Sequence, residues 1–370
     1  VEKFFDQQLR ESPEDSLRLT IDVRVQAILR DTVLGAMNKF NAIGAAGIVM
    51  DVRNGEVLGM VSLPDYDPAD VGRASEAERF SRTTVWVYEP GSTMKLITAA
   101  MALDSGTTNI WGGYDASRPV TFGRYSISDF KGKNRWLTVP EIIAYSSNIG
   151  AARMAMDVGY RNHRAFVERM GLAGRVGIEL PETAHPLVPG PREWKELTTL
   201  TVGFGHGVAE SPLHMITAIS ALANGGILYR PTLLARADDG TQARGVRVIR
   251  PETSDTLRRL MRLVVTDGSA KGAEVPGYFV GGKTGTALKR RVHGRGTDEN
   301  RRVSTFIGAF PIYAPRYAVL LALDEPKPSR ETYGYATAGW VAAPAAGELI
   351  ARLGPMLGVV PVEATDQVRQ

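Results

Sequence analysis

The run AAGIVMDVRNGEVLGMVSL, Ala45 to Leu63, decides what kind of fold this chain can make. It holds two β-rich stretches, Ala45–Asp51 and Glu56–Leu63, joined around Asn54-Gly55. Asn-Gly tolerates the positive φ angles of a tight hairpin turn, so the run predicts two antiparallel neighbours. Just upstream, Val25, Ile28, Leu29, Val33, Leu34, Met37 and Phe40 recur at helical spacing, which predicts a helix over Val23–Phe40. Far downstream, Tyr278–Val280, Lys283–Leu288, Val303–Phe310 and Tyr317–Leu323 are further strand-like runs, and an Ala-rich helix over Gly339–Leu353 follows them. Between the two sets of strands lie helical patterns. Thr93–Leu103 and Leu213–Leu222 are apolar on all sides and so predict buried helices. Val139–Ile149, Ala151–Met170 and Ser254–Val265 complete the series. The stretch to about Leu17 is polar and predicts an irregular segment. Strands at both ends with helices between them predict one mixed sheet built from distant segments and covered by helices, an α/β (α+β) architecture. No internal repeat or low-complexity linker divides the chain.

Bulk properties narrow the function classes. At 370 residues and 44% hydrophobic, the chain can bury a large core without a disulfide or a metal. Lys+Arg 44 against Asp+Glu 40 leaves +4, too weak a field for a nucleic-acid partner, and no basic run is interleaved with aromatics. The absence of cysteine excludes thiolate catalysis and cysteine-based zinc sites. The five histidines show no metal-ligand spacing, so no metal is expected. No apolar run approaches the ~18–20 residues that span a bilayer. The sequence begins at Val1 without a leader pattern, which predicts a piece of a longer protein. Asp65-Tyr-Asp-Pro-Ala-Asp70 misses the spacing of a calcium loop and predicts a solvated turn. Gly203-Phe-Gly-His-Gly207 misses the spacing of a dinucleotide loop, and a structural role is expected for His206. His293–Arg302, charged and glycine-containing, predicts a loop beside the Lys283 strand.

Three short motifs ask for one site. In Ser92-Thr-Met-Lys95, Pro90-Gly91 marks a sharp entry to a helix, and Lys95 falls one turn after Ser92 on the same face. A serine hydroxyl is a weak nucleophile until a base takes its proton. A lysine serves as that base only when burial or nearby positive charge lowers its pKa. The bland reading makes Ser92 a helix cap and Lys95 a solvated side chain. In Ser146-Ser-Asn148, a hydroxyl and an amide two residues apart can face one cleft, whereas the bland reading is again helix capping. In Lys283-Thr-Gly-Thr286, strand alternation puts Lys283 and Gly285 on one face and Thr284 and Thr286 on the other. A cation, hydroxyls and strand amides suit an extended peptide ending in a carboxylate. Gly285 allows a close backbone approach. The bland reading is a surface strand. Each motif alone is ordinary. Their order, S-x-x-K then S-x-N then K-T-G, is the signature set of penicillin-binding proteins and serine β-lactamases.

From about Leu17 onward the chain resembles the transpeptidase domain of class B penicillin-binding proteins, most closely the division-specific type. Leu19-Thr-Ile-Asp22, Tyr88–Lys95, Phe204-Gly-His-Gly207 with Ser211-Pro-Leu213, and Asp324-Glu-Pro326 carry the likeness beyond the three motifs. Glu89 before Pro-Gly matches the division type. The resemblance implies a mostly antiparallel central sheet flanked by helices, over 19–370, with a helical subdomain at about 72–195. Residues 1–18 would be a remnant of an upstream module. It implies a peptidoglycan D,D-transpeptidase that works without a cofactor and is acylated by β-lactams. Ser92 would be the nucleophile and Lys95 its base. Ser146 and Lys283 would pass the proton to the leaving nitrogen. Asn148 would hold the substrate amide, and Thr284, Gly285 and Thr286 would bind its carboxylate end. The backbone N–H groups of Ser92 and Thr286 would form the oxyanion hole. Stem peptides, a membrane glycan polymerase and divisome proteins would be partners, at the periplasmic face of the inner membrane. Ser-Ser-Asn stands where class A β-lactamases have Ser-Asp-Asn, and no E-x-x-L-N run is present, so a deacylating carboxylate is missing. An elongation-specific homologue and a β-lactam sensor domain remain the alternatives.

Overall fold

The hairpin forms, though its turn is longer than two residues. In a computed structural model describing residues 2–11, 16–235, 243–291 and 296–363, β1 (Gly44–Asp51) and β2 (Val57–Leu63) pair antiparallel. Asp51 N–H donates to the Glu56 carbonyl (2.8 Å), which leaves Val52–Gly55 as a four-residue loop. Only Gly55 takes a positive φ there, +81°, while the Asn54 side chain accepts the Glu56 N–H at 2.9 Å. The register slips by one at Leu58, so that Val49 faces Gly59 and Met50 faces Val57. A bulge of this kind adds twist near a sheet edge.

β11 (Tyr317–Asp324) pairs with β1, β10 (Thr297–Phe310) with β11, and β9 (Gly281–Arg290) with β10. The five-stranded order is β2-β1-β11-β10-β9, antiparallel throughout, so β9 is an edge. β1 and β11 are buried along their whole length because helices cover both faces. α2 (Val23–Lys39) lies on the face of Gly47, where a Cβ would come within 2.7 Å of Val33 and 2.8 Å of Leu29. α11 (Ala342–Met356) packs beside α2. α9 (Pro212–Ala223) lies on the opposite face, with Ser220 Oγ 3.6 Å from Met50 Sδ. Three layers result.

Between β2 and β9 come α3 (Glu76–Arg79), α4 (Met94–Asp104), α5 (Val139–Ala144), α6 (Asn148–Val158), α7 (Tyr160–Arg169), α8 (Glu196–Val202) and α10 (Pro251–Thr266), together with α9. Three ribbons join them: β3 (Gly113–Asp115) with β6 (Trp136–Thr138), β4 (Val120–Phe122) with β5 (Tyr125–Ile127), and β7 (Ile227–Tyr229) with β8 (Gly245–Arg247). α4 is enclosed by α6, α9 and α10, which explains its largely apolar surface.

Several expectations need correction. The first residues are not irregular: Glu2–Glu11 is a helix, α1, tied by Asp6–Arg10 and Gln7–Glu11 pairs four residues apart. The helical pattern Ala151–Met170 is cut at Gly159, φ +87°, into α6 and α7, and Val139–Ile149 is cut by a turn at Tyr145–Ser147. Tyr278–Val280 precedes β9 rather than forming a strand. Thr297–Arg302 extends β10 instead of forming a loop: Thr297 and Asp298 pair with Arg290 and Lys289, and after an irregularity the ladder resumes at Arg302 opposite Leu288. His293 lies outside the described residues. Asp65 binds Arg30 at 2.7 Å, and Asp67 caps a short 3₁₀ turn at Ala69.

Candidate active site

Three backbones meet at the Ser92 turn because glycines let them. Gly91, at φ +54°, donates its N–H to the Gly205 carbonyl at 3.1 Å. A Cβ on Gly205 would sit 1.9 Å from the Gly91 carbonyl oxygen, and one on Gly285 would meet Pro90 O at 2.8 Å and Thr93 at 2.9 Å. A side chain at either position would push the Ser92 turn off the Gly203–Gly207 loop or off edge strand β9. The close approach that Gly285 permits is therefore made by the protein's own Pro90–Thr93 turn. Glu89 reinforces the junction: one carboxylate oxygen accepts the Gly207 N–H (3.1 Å), and the other lies 3.2 Å from His206 Nδ1. That gives His206 its structural role.

Ser92 lies in the 3₁₀ turn Gly91–Thr93 that opens α4; the N-cap positions are Pro90 for the turn and Thr93 for the helix, and neither makes a side-chain capping bond. Its hydroxyl lies 3.0 Å from Lys95 Nζ. Lys95 is not solvated. It is wholly buried, and its amine also reaches Ser146 O (2.5 Å), Ser146 Oγ (3.0 Å) and Asn148 Oδ1 (2.7 Å). Burial first, then the charge of Lys283, hold its pKa well below the usual lysine value, with Asp129 opposing. A neutral amine has two N–H groups and one lone pair. The two carbonyl oxygens at the shortest distances take the N–H groups, which leaves the lone pair for a serine hydroxyl.

The second motif divides its labour. Ser147 caps α6, accepting the Gly150 N–H at 3.0 Å, so helix capping falls to the middle residue. Ser146 stands at φ +59° with its hydroxyl between Lys95 Nζ (3.0 Å) and Lys283 Nζ (2.9 Å). Asn148 Nδ2 donates to Ser128 O at 3.0 Å and keeps a second N–H.

On β9, Lys283 is wholly buried, and burial lowers its pKa to about 7. Thr284 and Thr286 point the other way, as alternation requires. Thr284 Oγ1 is 2.6 Å from Ser269 Oγ, and Thr286 Oγ1 accepts the Ala338 N–H at 3.0 Å. Thr286 thus retains its O–H hydrogen, whereas the Thr284 hydroxyl is hydrogen-bonded to that of Ser269, a residue no motif pointed to. A Cβ on Gly91 would lie 3.2 Å from the Thr286 carbonyl, which puts the backbones of Ser92 and Thr286 side by side.

Asp129 was also missed. Its carboxylate accepts the N–H groups of Asn148 (2.5 Å) and Ile149 (3.0 Å) and the Ser147 hydroxyl (2.8 Å). A carboxylate at a helix N-terminus satisfies donors that have no intrahelical partner and favours the dipole. It thereby locks the turn that presents Ser146 and Asn148 to the two lysines. No local pattern marks it, since it lies in a loop far upstream of the motif. Asp129→Ala is expected to cost about 1–2 kcal/mol of stability and to slow penicillin acylation by about 10–100-fold through displaced geometry. Thermal unfolding and stopped-flow acylation check this; an unchanged acylation rate contradicts it.

With this geometry in hand, comparison with known proteins is decisive. A family model described as the penicillin binding protein transpeptidase domain matches residues 45–350. The chain belongs to that family. Over 349 residues the transpeptidase domain is 41% identical to a probable peptidoglycan D,D-transpeptidase FtsI of Caulobacter vibrioides, covering 92% of this chain and 59% of that protein. It is 33% identical to stage V sporulation protein D of Bacillus subtilis, covering 94% of this chain and 55% of that protein. The chain thus spans between half and two thirds of the length of these relatives. The transpeptidase domain of penicillin-binding protein 3 from Burkholderia pseudomallei superposes with a TM-score of 0.83 at 31% identity, covering 94% of this chain and 98% of that one. The penicillin-binding fold expected from the sequence, with its antiparallel central sheet flanked by helices, is the fold the chain has.

Proposed function

We propose that the chain is a peptidoglycan D,D-transpeptidase of the septal type, working through an acyl ester on Ser92 that β-lactams also form. One observation carries the reading: a buried, pKa-depressed Lys95 amine lies 3.0 Å from the Ser92 hydroxyl. Ser92 Oγ attacks the carbonyl carbon of the penultimate D-alanine of a stem peptide while its proton passes to Lys95 Nζ. The oxygen of the tetrahedral species gains charge beside the N–H groups of Ser92 and Thr286. The C–N bond then breaks, and the leaving nitrogen takes a proton through the Ser146 hydroxyl, which Lys283 resupplies across 2.9 Å. An amine of a neighbouring stem attacks the ester and loses its proton through the Ser146 hydroxyl to Lys283. Lys95 returns its proton to Ser92 Oγ as the ester C–O bond breaks, which forms the cross-link and resets both lysines. The free N–H of Asn148 holds the substrate amide, and the hydroxyls of Thr284 and Thr286 bind the terminal carboxylate.

The names of the Caulobacter and Burkholderia relatives support both the substrate and the drug. We assign residues 19–370 to the transpeptidase domain, with 72–195 as its helical subdomain, and 1–18 to an upstream module. Among the described residues no helix is long and apolar enough to cross a membrane. We place the domain at the periplasmic face, held by an N-terminal anchor outside these residues, with a glycan polymerase and divisome proteins as partners. Release of D-alanine from a stem pentapeptide tests the reading against a sensor domain. Repeated turnovers are expected, and none with Ser92→Ala. Penicillin labelling without any D-alanine release would leave only a sensor.

A further inference from the structure

The walls of the cleft end in exposed aromatic rings that folding does not explain. Tyr333 and Phe130 are 78% and 81% exposed, and Trp340 and Tyr335 about 40%. Tyr335 and Trp340 stack nearly parallel, 9° apart with centroids at 6.1 Å, and Tyr333 meets Trp340 edge-on at 5.5 Å. These three stand on the loop that donates Ala338 N–H to Thr286. Phe130 and Lys131 follow Asp129, on the loop that holds Asn148. Lys131 Nζ joins the two walls, 5.3 Å from the Tyr335 ring and 6.0 Å from Phe130. Lys133 covers Tyr145, the neighbour of Ser146, at 4.6 Å. The result is an aromatic ledge, carrying cations, on the two loops bonded to Thr286 and Asn148. Contiguous apolar surface of this kind marks a binding site.

We infer that this ledge binds the glycan strand that carries the stem peptide, an N-acetylated pyranose polymer. The inference rests on the proposed function. The axial C–H face of a pyranose is apolar and slightly positive, and it fits the negative face of an aromatic ring. Lys131 and Lys133 complement the carboxylates of stem peptides along the strand. The polymer lies on the ledge while one stem enters the cleft, which favours polymeric over small substrates. A small thioester or a penicillin carries no pyranose face to offer the ledge.

Peptidoglycan glycan strands stripped of peptides by an amidase and labelled at one end provide the probe, read by fluorescence anisotropy. The native chain and Ser92→Ala should bind them equally. This separates the ledge from the nucleophile, whose own assignment is read by penicillin labelling. Phe130→Ala with Tyr333→Ala should weaken binding at least tenfold while the unfolding midpoint and the penicillin acylation rate stay within error. Strands that retain their peptides should bind more tightly than stripped strands, and Lys131→Gln should narrow that difference. The inference is overturned if stripped strands do not bind, if the double variant binds them equally, or if sedimentation shows a dimer that the double variant abolishes.

Discussion

Lys95→Ala lowers the second-order rate of penicillin acylation by about 10²–10⁴, the range supplied by a positioned general base. The variant keeps its fold. Lys95 is a buried amine whose charged form the site disfavours, and groups placed for function are poorly chosen for stability. Its removal does leave the Ser146 carbonyl and Asn148 Oδ1 without a donor, so a modest fall in the unfolding midpoint is expected. The pH profile separates the base from a mere scaffold. In the native chain the rate rises as Lys95 loses its proton, and it falls as Lys283 loses its own through about pH 7. Lys95→Ala loses the rising limb. Stability follows the same groups. Between about pH 7 and the ordinary lysine value of 10.5 the unfolded chain binds a proton at Lys283 that the folded chain does not. Stability from this residue therefore rises with pH across that window, and Lys283→Met flattens the rise. An acylation rate unchanged in Lys95→Ala would remove the base from the account.

Gly205→Ala is the second large effect. Its Cβ would lie 1.9 Å from the Gly91 carbonyl, a backbone atom that cannot swing aside, at a residue with φ +91°. The methyl breaks the bond from Gly91 N–H to Gly205 O and pushes the Ser92 turn away from its loop. Gly225 has a similar positive φ, +94°, with nothing within 4 Å of a Cβ. Gly225→Ala thus measures conformational strain alone, about 1 kcal/mol, with acylation intact. Gly205→Ala should cost about 3 kcal/mol or more, as backbone strain adds to overpacking, and lower acylation by about 10² or more, because sub-ångström placement sets the rate. Equal behaviour of the two variants in denaturant unfolding and acylation would mean that the glycine junction does not hold the site.

What the sequence discloses is local. The Asn54-Gly55 hairpin, the helix over Val23–Lys39 and the buried helix after Ser92 are each written within one turn or one hydrophobic period, and each forms. The (i, i+4) pairs of Glu2–Glu11 were equally legible, and weight on polarity hid them. The motifs showed their chemistry but not their meeting, because a lysine reads the same in water as in a core. Only the fold puts Lys95 and Lys283 among its largest fully buried side chains, on one serine hydroxyl. Which serine of Ser146-Ser147 caps the helix depends on the turn at φ +59°, and the partners of Thr284 and Asn148 come from distant segments. Asp129 carries no local signal at all, since its role depends on a helix terminus brought to it by tertiary packing.

Intact-mass measurement after penicillin treatment, with peptide mapping of the adduct, tests the central geometry most directly. One penicilloyl group per chain is expected, on the peptide containing Ser92, and none in Ser92→Ala. An adduct mapped to any other residue, or retained in Ser92→Ala, would contradict a site in which two buried lysines and Ser146 serve one hydroxyl.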